Sequence, residues 1–540
     1  MRKNIVVTGY GIISANGITP IENLDLEDFP FPVGEIKLTN DDLKRNLNIP
    51  IEKQIGRTTL LGISALRQAA ENADVSDKTP GRKILISGTT AGEMDLTEKY
   101  WQDIANHADV MLHHDCGSCT ERIAEGLGFI NECTTISTAC SSGANAILEA
   151  AEMLEADNAD IVFAGGAEAL TKFHLTGFAS LMILDREVCR PFADNRAGLN
   201  LGEGAAFLVM ETEQHAINRG AKILCYFAGG GNACDAFHQT ASSPDGEGAY
   251  LAMNNALINA NIAPDAIQYV NAHGTGTVNN DASEMAALKR IFGDKMPVIE
   301  STKSITGHTT SAAGAIEAVI CIQKLQQNGK LQNVMDNSFG FGGNDTSLIF
   351  SRCKSESNAD CYNNDIETEV VAKYELTNED EIAEIKEFLK PSEYRRMGKI
   401  LRSSLLTSIK ALKQCNITVP DAIITATTLG CWENSEKILD HLTEPQPTLF
   451  MQSTHNTIGS NTAIYLRCHG YNTTYVQGSD SFKRAMRKAE LLIKSGKCNN
   501  VLVGLHNETT QRYRDIMHLA GRDGLQPLIS LSVVVKRKNQ

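Results

Sequence analysis

The sequence lacks several features that would at once assign a chain to a broad class. Its 540 residues contain no apolar run long enough to cross a bilayer, and no small-residue cleavage site closes the short apolar N-terminus. The 14 cysteines show no regular disulfide spacing, which predicts reduced thiols and a cytoplasmic protein. A formal net charge of −15 argues against general binding to nucleic acid or to an anionic membrane.

Two local features, a glycine motif near the N-terminus and a group of basic residues near the C-terminus, require separate interpretation. Gly9-Tyr10-Gly11 opens like a dinucleotide-binding loop but lacks its third glycine, so no nucleotide site is predicted. Basic residues recur near the C-terminus, which suggests a docking patch for an acidic partner or, more simply, a solvated helix surface. These residues are Arg484, Arg487, Lys488, Lys494 and Lys497.

The first 350 residues alternate short β-branched runs with alanine-rich amphipathic segments. This alternation predicts an α/β fold with helices packed against a largely parallel sheet. The predicted buried strands are 5–7, 83–86, 160–164 and 268–270, and the predicted helices are 62–73, 144–155 and 311–326.

Beyond this region the chain changes composition and then repeats itself. The polar stretch 353–365 predicts a linker between a first domain, 1–352, and a second domain, 366–540. Residues 84–92 resemble 422–430, and residues 150–165 resemble 489–504, at an offset that stays near 339. Because chance similarity rarely keeps one offset, the second domain is predicted to be a partial copy of the first.

The first copy carries a cysteine, Cys140, where a predicted strand turns into a helix. Unpaired backbone N–H groups and the helix dipole meet there, and both favour a thiolate and can stabilise an oxyanion. The ordinary alternative is a small buried cysteine. At the same offset the second copy has Ser479, which is more typical of turn chemistry than of a hydrolase nucleophile because no base accompanies it.

Two histidines lie in glycine-rich loops after predicted strands, His273 within 270–277 and His308 within 301–308. Small neighbours let the backbone approach a ligand and leave the imidazole open. A single loop histidine is most often structural. Two such loops together with the cysteine corner instead indicate a catalytic set.

In order and spacing these motifs, with Asn-Ser-Phe-Gly-Phe-Gly-Gly at 337–343, resemble the β-ketoacyl-acyl-carrier-protein synthases. The resemblance covers 1–352 and includes family landmarks at 190–192, 201–206 and 244–248. It implies a thiolase-like fold, in which two related halves stack as α-β-α-β-α layers. The second domain resembles the partial, cysteine-less chain-length-factor domains found beside polyketide- and aryl-polyene-type synthases.

The resemblance also implies roles for the catalytic residues. Cys140 would accept an acyl group from acyl carrier protein as a thioester. His273 and His308 would face the malonyl-carrier thioester as neutral donors that stabilise the enolate left by decarboxylation. Lys303, held by Glu317, would tune the histidine pair through its charge.

Further residues of the same motifs are expected to bind substrate. The ring of Phe341 would gate the acyl pocket, and the backbone N–H groups of Cys140 and Phe341 would form the oxyanion hole. Thr275 and Thr277 would hydrogen-bond the phosphopantetheine arm, and Glu317 is included among the substrate-binding residues.

The implied reaction is a decarboxylative Claisen condensation that gives a β-ketoacyl-acyl-carrier protein, in a polyketide, aryl-polyene or fatty-acid pathway. An ordinary fatty-acid elongation synthase is one alternative, and a non-catalytic scaffold that binds carrier protein is another. No metal or cofactor is expected, since phosphopantetheine of the carrier protein bears the substrates. The expected assembly is a homodimer or an intramolecular pseudo-dimer.

One motif invites a different interpretation. Cys116-Gly117-Ser118-Cys119 stands beside His113 and His114, which raises the possibility of a zinc site. A single pair of cysteines falls short of the usual ligand set. Packing near the acyl pocket or at a subunit interface is the alternative.

Overall fold

The computed structural model describes residues 3–24, 26, 29–354, 363 and 365–538. Most of the predicted linker, 353–365, lies outside the described residues. Before it a strand ends at Ser351, and after it a strand begins at Thr368. The division into 1–352 and 366–540 stays a prediction that agrees with these strand ends.

Fifteen strands lie in the described part of the chain, and the four predicted strands fall within β1, β2, β4 and β7 to within one residue. In chain order they are β1 (Ile5–Ser14), β2 (Lys83–Gly88), β3 (Glu132–Ile136), β4 (Ile161–Glu168), β5 (Gly204–Thr212), β6 (Cys225–Cys234), β7 (Tyr269–Asn271), β8 (Val298–Glu300), β9 (Asn333–Gly340), β10 (Asn344–Ser351), β11 (Thr368–Glu375), β12 (Ala422–Ala426), β13 (Tyr471–Tyr475), β14 (Asn500–Glu508) and β15 (Leu528–Arg537).

The α-helices of the described residues include the three predicted ones, as α2, α5 and α11. They are α1 (Asn40–Leu47), α2 (Arg57–Asn72), α3 (Met94–Tyr100), α4 (Cys116–Glu125), α5 (Ser142–Glu155), α6 (Lys172–Ser180), α7 (Glu213–Asn218), α8 (Glu247–Ala260), α9 (Val278–Phe292), α10 (Lys303–Thr306), α11 (Ala313–Gln327), α12 (Pro391–Arg396), α13 (Lys399–Gln414), α14 (Trp432–Asp440), α15 (Pro447–Met451), α16 (Thr457–Leu466), α17 (Ser481–Lys494) and α18 (Gln511–Leu519). Within the described ranges none of these helices has the length and apolar character needed to cross a membrane.

All strands join one hydrogen-bonded sheet that consists of three modules of five. The order is β11-β15-β14-β12-β13, then β3-β2-β4-β5-β1, then β6-β10-β9-β7-β8. We call β11 to β15 the second copy, β1 to β5 the first module, or first copy, and β6 to β10 the third module. The first module and the second copy share one pairing pattern, since β2 and β12 each lie parallel to both of their neighbours.

The sheet is mixed, so the expectation of a largely parallel sheet is wrong. In the first module β5 runs antiparallel to β4 and to β1, and in the third module β10 runs antiparallel to β6 and to β9. The chain passes from β9 to β10 through a tight turn, which makes the two strands antiparallel. A parallel pair would need a longer crossover connection.

The first and third modules enclose a central helical layer. Helices α5 and α11 are buried between them, and their alanine, isoleucine and leucine side chains share one apolar core with β2 and β10. Helix α2 covers the outer face of the first module, and α8 and α9 cover the outer face of the third. These are the five layers, α-β-α-β-α, that the resemblance to the synthase family implies.

The second copy repeats the first module closely. At an offset of 339 residues β13 follows β3, α17 follows α5 and the start of β14 follows that of β4. The two copies meet edge to edge through antiparallel pairing of β3 with β13 at Ile136 and Tyr475. Backbone bonds from Ser137 N to Thr474 O and from Val476 N to Thr135 O, each 3.0 Å, extend this contact.

Four of the five basic residues noted in the sequence form ion pairs with the first copy at this junction, so the prediction of a solvent-facing basic patch is wrong for the buried Arg484 and Lys488, whereas Lys497 is exposed. Lys488 is fully buried and pairs with Glu149 at 2.6 Å and with Glu152. Lys497 also pairs with Glu152, at 2.7 Å. Arg484 and Arg487 both pair with Glu132, whose carboxylate oxygen lies 2.9 Å from Arg487 Nη1.

Candidate active site

The Cys140 corner is built by the end of β3 and the start of α5. Ala139, which precedes the cysteine, has a positive φ of 52°, and a short 3₁₀ turn over Ala139–Ser141 leads into the helix. Cys140 is buried, with 5% of its surface exposed. A Cβ at Gly340 would lie 3.3 Å from Cys140 N and 2.7 Å from Thr138 O. Glycine therefore allows the 340–343 loop to lie directly against the nucleophile.

His308 contacts the cysteine directly. It follows α10, and its backbone N–H donates to Asn200 O at 2.7 Å, which fixes the loop. Its Nε2 lies 3.1 Å from Cys140 Sγ. The other ring nitrogen, Nδ1, is buried without a hydrogen-bond partner among the described residues. Nε2 is therefore the nitrogen that can exchange a proton with the sulfur.

His273 completes a three-residue cluster. It follows β7, and Glu284 on α9 accepts the backbone N–H groups of His273 and Gly274 at 2.9 and 2.8 Å. The rings of His273 and His308 lie 5.2 Å apart and nearly perpendicular, at 81°. One donor atom from each of Cys140, His273 and His308 falls within 4.8 Å of the others. The fold thus gathers three residues that the sequence separates by 133 and 35 positions.

The protonation state of the cysteine differs from the sequence-based expectation. The helix N-terminus was expected to favour the thiolate, but burial raises the pKa of the Cys140 thiol to about 12. The charge of Lys303 and the backbone N–H groups of Phe341 and Cys140 act in the opposite direction on the same pKa. The resting site therefore holds a thiol, with stabilising groups in place for the thiolate that forms in reaction.

The two histidines are neutral. Burial lowers the pKa of His273 and of His308 well below its ordinary value, and the positive charge of Lys303 lowers both pKa values further. A neutral imidazole has one donor and one acceptor nitrogen, so each ring can give a hydrogen bond to an oxyanion without carrying charge.

Lys303 and Glu317 form a buried ion pair behind the histidines. Their side chains are 1% and 2% exposed, and Nζ lies 2.5 Å from Oε1. Neither residue lines the cavities described below. Lys303 acts on the site through its charge. The prediction that Glu317 binds substrate finds no contact to support it, and its geometry is that of a partner for Lys303.

The cluster of Cys140, His273 and His308 is also, among the residues that the structure describes, the one group able to offer three metal ligands. A buried ammonium group close enough to lower the pKa values of all three disfavours a divalent cation there. Cys116 and Cys119 belong to no such group within the described ranges. Cys119 instead contacts Thr59 Oγ1 at 3.4 Å, and Cys116 lines the narrow cavity described below. Both positions agree with the alternative interpretation, packing near the acyl pocket.

A wide cavity of about 500 Å³ leads from the surface to the cluster. Thr275 and Thr277 line it, with their hydroxyl oxygens 2.9 Å apart, and Phe341 stands at its inner end. The structure therefore places both threonines on the approach to Cys140.

A narrow cavity of about 60 Å³ continues on the far side of Cys140. The Phe341 and Phe178 rings, stacked 5.9 Å apart, line both cavities and separate them. Much of the narrow cavity belongs to the second copy. Its lining there is Thr428, Leu429, Trp432, Ser435, Phe450, Ser453, Thr454 and His455.

The sequence reasoning missed these second-copy residues. Trp432, His455 and Asn456 lie in segments that carry no motif, and their contacts with the first copy span more than 100 positions. The constant offset locates the second copy along the chain but does not show which of its side chains face Cys140. Ser479, by contrast, is exposed, as a turn residue would be.

Comparison with known proteins agrees with this geometry. Family models described as the N-terminal and C-terminal domains of beta-ketoacyl synthase match residues 46–216 and 224–334. The 3-oxoacyl-[acyl-carrier-protein] synthase 2 of Staphylococcus aureus strain N315 is 31% identical over 412 residues, covering 65% of this chain and 99% of that protein. The chain belongs to the β-ketoacyl synthase family. It is a condensing enzyme of the acyltransferase class.

Solved structures extend the likeness to the second copy. A chain of the ishigamide ketosynthase/chain length factor is 27% identical, with a TM-score of 0.61 over 65% of this chain and 100% of that one. The PfaC keto synthase-chain length factor superposes with a TM-score of 0.78 over 99% of this chain and 78% of that chain, at 15% identity. The thiolase-like fold is confirmed, and the superposition of nearly the whole chain includes the second copy.

Proposed function

We propose that this β-ketoacyl synthase extends an acyl chain by decarboxylative Claisen condensation with a malonyl-carrier thioester. The observation that carries the proposal is the 3.1 Å contact of Cys140 Sγ with His308 Nε2, beside a second neutral histidine. Acyl carrier protein delivers both substrates on phosphopantetheine, so the enzyme itself needs no cofactor.

In the first half-reaction Cys140 attacks the carbonyl of an acyl-carrier thioester. The thiol proton passes to His308 Nε2 as the new carbon–sulfur bond forms. When the bond to the carrier sulfur breaks, the leaving carrier thiolate takes that proton from His308. The backbone N–H groups of Cys140 and Phe341 stabilise the oxyanion of the tetrahedral intermediate. Lys303 supports the negative charge that develops on sulfur.

In the second half-reaction a malonyl-carrier thioester enters the wide cavity. Loss of carbon dioxide leaves an enolate whose oxygen accepts hydrogen bonds from His273 and His308. The enolate carbon attacks the acyl-Cys140 carbonyl, a carbon–carbon bond forms and the thioester bond to Cys140 breaks. The cysteine leaves as a thiolate, which takes up a proton from solvent to restore the thiol. Because decarboxylation creates the carbanion, no base has to remove a carbon-bound proton.

The wide cavity has the dimensions and lining expected for the carrier arm. Thr275 and Thr277 present hydroxyl groups that match the amide groups of phosphopantetheine. Thr275 N and Gly276 N donate to Asp281 at 3.0 and 3.2 Å, which holds this loop in place. The arm would therefore meet a preformed polar surface rather than a loop that must be ordered first.

We also propose a chain-length-factor-like role for the second copy, because it supplies one wall of the narrow cavity. Trp432 and Phe450 close this wall, and Phe450 packs edge-on against Phe178 at 5.3 Å. The acyl chain on Cys140 would extend towards these rings and stop where they close the pocket. This role favours a polyketide or polyene pathway over ordinary fatty-acid elongation.

The pairing of the two copies through β3 and β13 supports an intramolecular pseudo-dimer. The same edge of the first module cannot pair with a second chain while β13 occupies it. Size-exclusion chromatography with light scattering tests this, and a dimer joined through an exchanged second copy would contradict it.

Mass spectrometry separates the condensing enzyme from a non-catalytic scaffold. Acyl-carrier thioester should add one acyl group to the wild-type chain and none to Cys140→Ala, and malonyl-carrier should then release a β-ketoacyl product. A wild-type chain that binds carrier but never takes an acyl group would support the scaffold.

Product length tests the role of the second copy. Trp432→Ala should allow longer products, because it removes a ring from the wall of the narrow cavity. Trp101→Ala is the matched control, since Trp101 packs on Trp432 at 6.2 Å but does not line the cavity. Equal product lengths for both variants and wild type would contradict the role.

A further inference from the structure

One asparagine of the second copy departs from its expected local role. Asn456 precedes α16 at the N-cap position, where an asparagine side chain ordinarily accepts a backbone N–H of its own helix. It makes no such bond here, although it is completely buried. The corresponding helix of the first module, α4, is capped in the ordinary way, since Asp115 accepts Ser118 N at 3.0 Å.

The Asn456 side chain instead reaches the loop that carries the predicted gate. Its Nδ2 donates to Phe341 O and to Asn344 Oδ1, each at 2.7 Å. Both neighbours are acceptors, so the amide nitrogen must face them. Ser460, one turn along α16, donates to the same Asn344 oxygen at 3.1 Å.

This loop needs an external support. Gly342 and Gly343 follow Phe341 with φ of 84° and 77°, so the backbone there has the freedom of two glycines in left-handed conformations. The loop lies against the cysteine, since a Cβ on Gly340 would lie 3.3 Å from Cys140 N, and the N–H of Phe341 is one of the groups that lower the pKa of Cys140. Fixing the Phe341 carbonyl restrains the dihedrals of the residue that bears both the oxyanion-hole N–H and the gate ring.

The neighbouring residue supports the other side of the corner. His455 Nδ1 lies 3.0 Å from the hydroxyl of Ser137, which immediately precedes the Cys140 turn. Burial lowers the pKa of His455 to about 4, so this contact is made by a neutral ring. Two consecutive residues of the second copy therefore hold the strand end before Cys140 and the loop that lies over it.

We propose that Asn456 is a positioning residue for the condensation reaction and that the second copy thereby completes the oxyanion hole of the first. The inference rests on the proposed condensing function. It adds a second contribution of the second copy, distinct from the wall of the acyl pocket. Asn456 acts through the Phe341 backbone and does not itself touch the acyl group.

The test uses the full chain and measures single-turnover acyl transfer to Cys140 by mass spectrometry. Asn456→Ala and the isosteric Asn456→Asp both remove the donor, and each should slow acyl transfer by about 10- to 100-fold, less than or equal to the loss of an oxyanion-hole donor. Ser460→Ala is the matched control, because it removes a bond to Asn344 and none to Phe341. Acyl transfer in Ser460→Ala should proceed within about twofold of the wild-type rate, because the oxyanion hole is undisturbed.

A second readout separates positioning from general damage. Alkylation of Cys140 by iodoacetamide passes through no oxyanion and depends on Phe341 only through the thiolate that its N–H stabilises. Its rate at constant pH should therefore fall by a smaller factor than that of acyl transfer. Loss of both rates in parallel, or an equal loss in Ser460→Ala, would overturn the inference. So would wild-type acyl transfer in both Asn456 variants. If wild-type protein takes no acyl group, the condensing function itself fails.

Discussion

The chain turns the same strand-to-helix corner twice, and only one corner holds a reactive site. Ala139 and Gly478 open the two short 3₁₀ turns with φ of 52° and 53°, and α5 and α17 follow at equal distances. The first copy buries Cys140 at its corner, whereas the second exposes Ser479. The same backbone at a helix N-terminus after a strand therefore gives two different environments for the side chain at the corner.

The two corners differ in the residues that pack against Cys140 and against Ser479. The third module presents His273 and His308 to Cys140, and the second copy closes the opposite side with the segment that contains His455 and Asn456. Burial raises the pKa of the thiol, and the third module supplies Lys303 and the Phe341 N–H, which act in the opposite direction by stabilising its anion. The environment of Cys140 is thus built by all three modules rather than by its own turn alone.

The largest expected effect is loss of the nucleophile. Cys140→Ala should reduce condensation by at least about 10³-fold, because no other group can form the thioester. Ser479→Ala should have no effect, and adding Ser479→Cys to Cys140→Ala should restore nothing. Acyl-enzyme mass and product formation measure this, and acylation of a cysteine at 479 would show that the corner alone is sufficient.

Removal of His308 should impair both half-reactions, because His308 takes the thiol proton in the first and donates to the enolate in the second. His308→Ala should slow release of carbon dioxide from malonyl-carrier thioester by about 10²- to 10⁴-fold, since the enolate loses a donor. His518→Ala removes an exposed histidine of the second copy and should leave the rate unchanged. Wild-type decarboxylation in His308→Ala would refute the assigned role.

The charge difference between the copies should control their pairing. At the offset of 339, Lys488 stands where the first copy has Glu149, so two first copies would oppose two carboxylates. Lys488→Glu should lower the free energy of unfolding by about 3–5 kcal/mol, the cost of breaking a buried ion pair. Chemical denaturation measures the loss, and Glu149→Lys combined with Lys488→Glu should recover part of it.

Acid should destabilise the chain through its buried histidines. Burial lowers the pKa of His506 to about 3, so below pH 6.5 the unfolded state takes up a proton that the folded state does not. Stability present above pH 6.5 is therefore lost as pH falls towards 3, by about 1.4 kcal/mol per unit for this residue. The first copy has Ala167 at the position equivalent to His506, so His506→Ala is the matched substitution. In urea titrations it should reduce the loss of unfolding free energy between pH 7.5 and 5.5 by about 1.4 kcal/mol. An unchanged loss would contradict the lowered pKa.

The smallest effect concerns the backbone of the two corners. Gly478→Ala should cost about 1 kcal/mol, because an L-residue resists positive φ, and no atom lies within 4 Å to add a clash. Ala139→Gly should be nearly neutral, since relief of strain offsets the entropy of glycine. Urea unfolding compares them, and a large loss in Ala139→Gly would indicate a further role for the methyl group.

Much of the site was predictable from the sequence because its motifs are local. The strand, the turn and the helix around Cys140 are contiguous, and each histidine loop follows its own strand. The sequence indicated local groups at the corner that favour a thiolate, and the backbone N–H of Cys140 does lower the thiol pKa, but the sequence could not show the burial that outweighs it. The basic residues of α17 were misplaced for a related reason, because their carboxylate partners lie more than 330 positions away.

The sequence alone determined the family, the three residues Cys140, His273 and His308 that the fold brings together, and the presence of a partial second copy. These follow from short motifs and a constant offset, which survive in the linear order of residues. Only the tertiary structure decided that burial raises the pKa of the Cys140 thiol, that Lys488 of α17 is buried in ion pairs with the first copy, and that Asn456 holds the Phe341 carbonyl. Each of these depends on side chains brought together across the sheet, and neither periodicity nor spacing encodes such contacts.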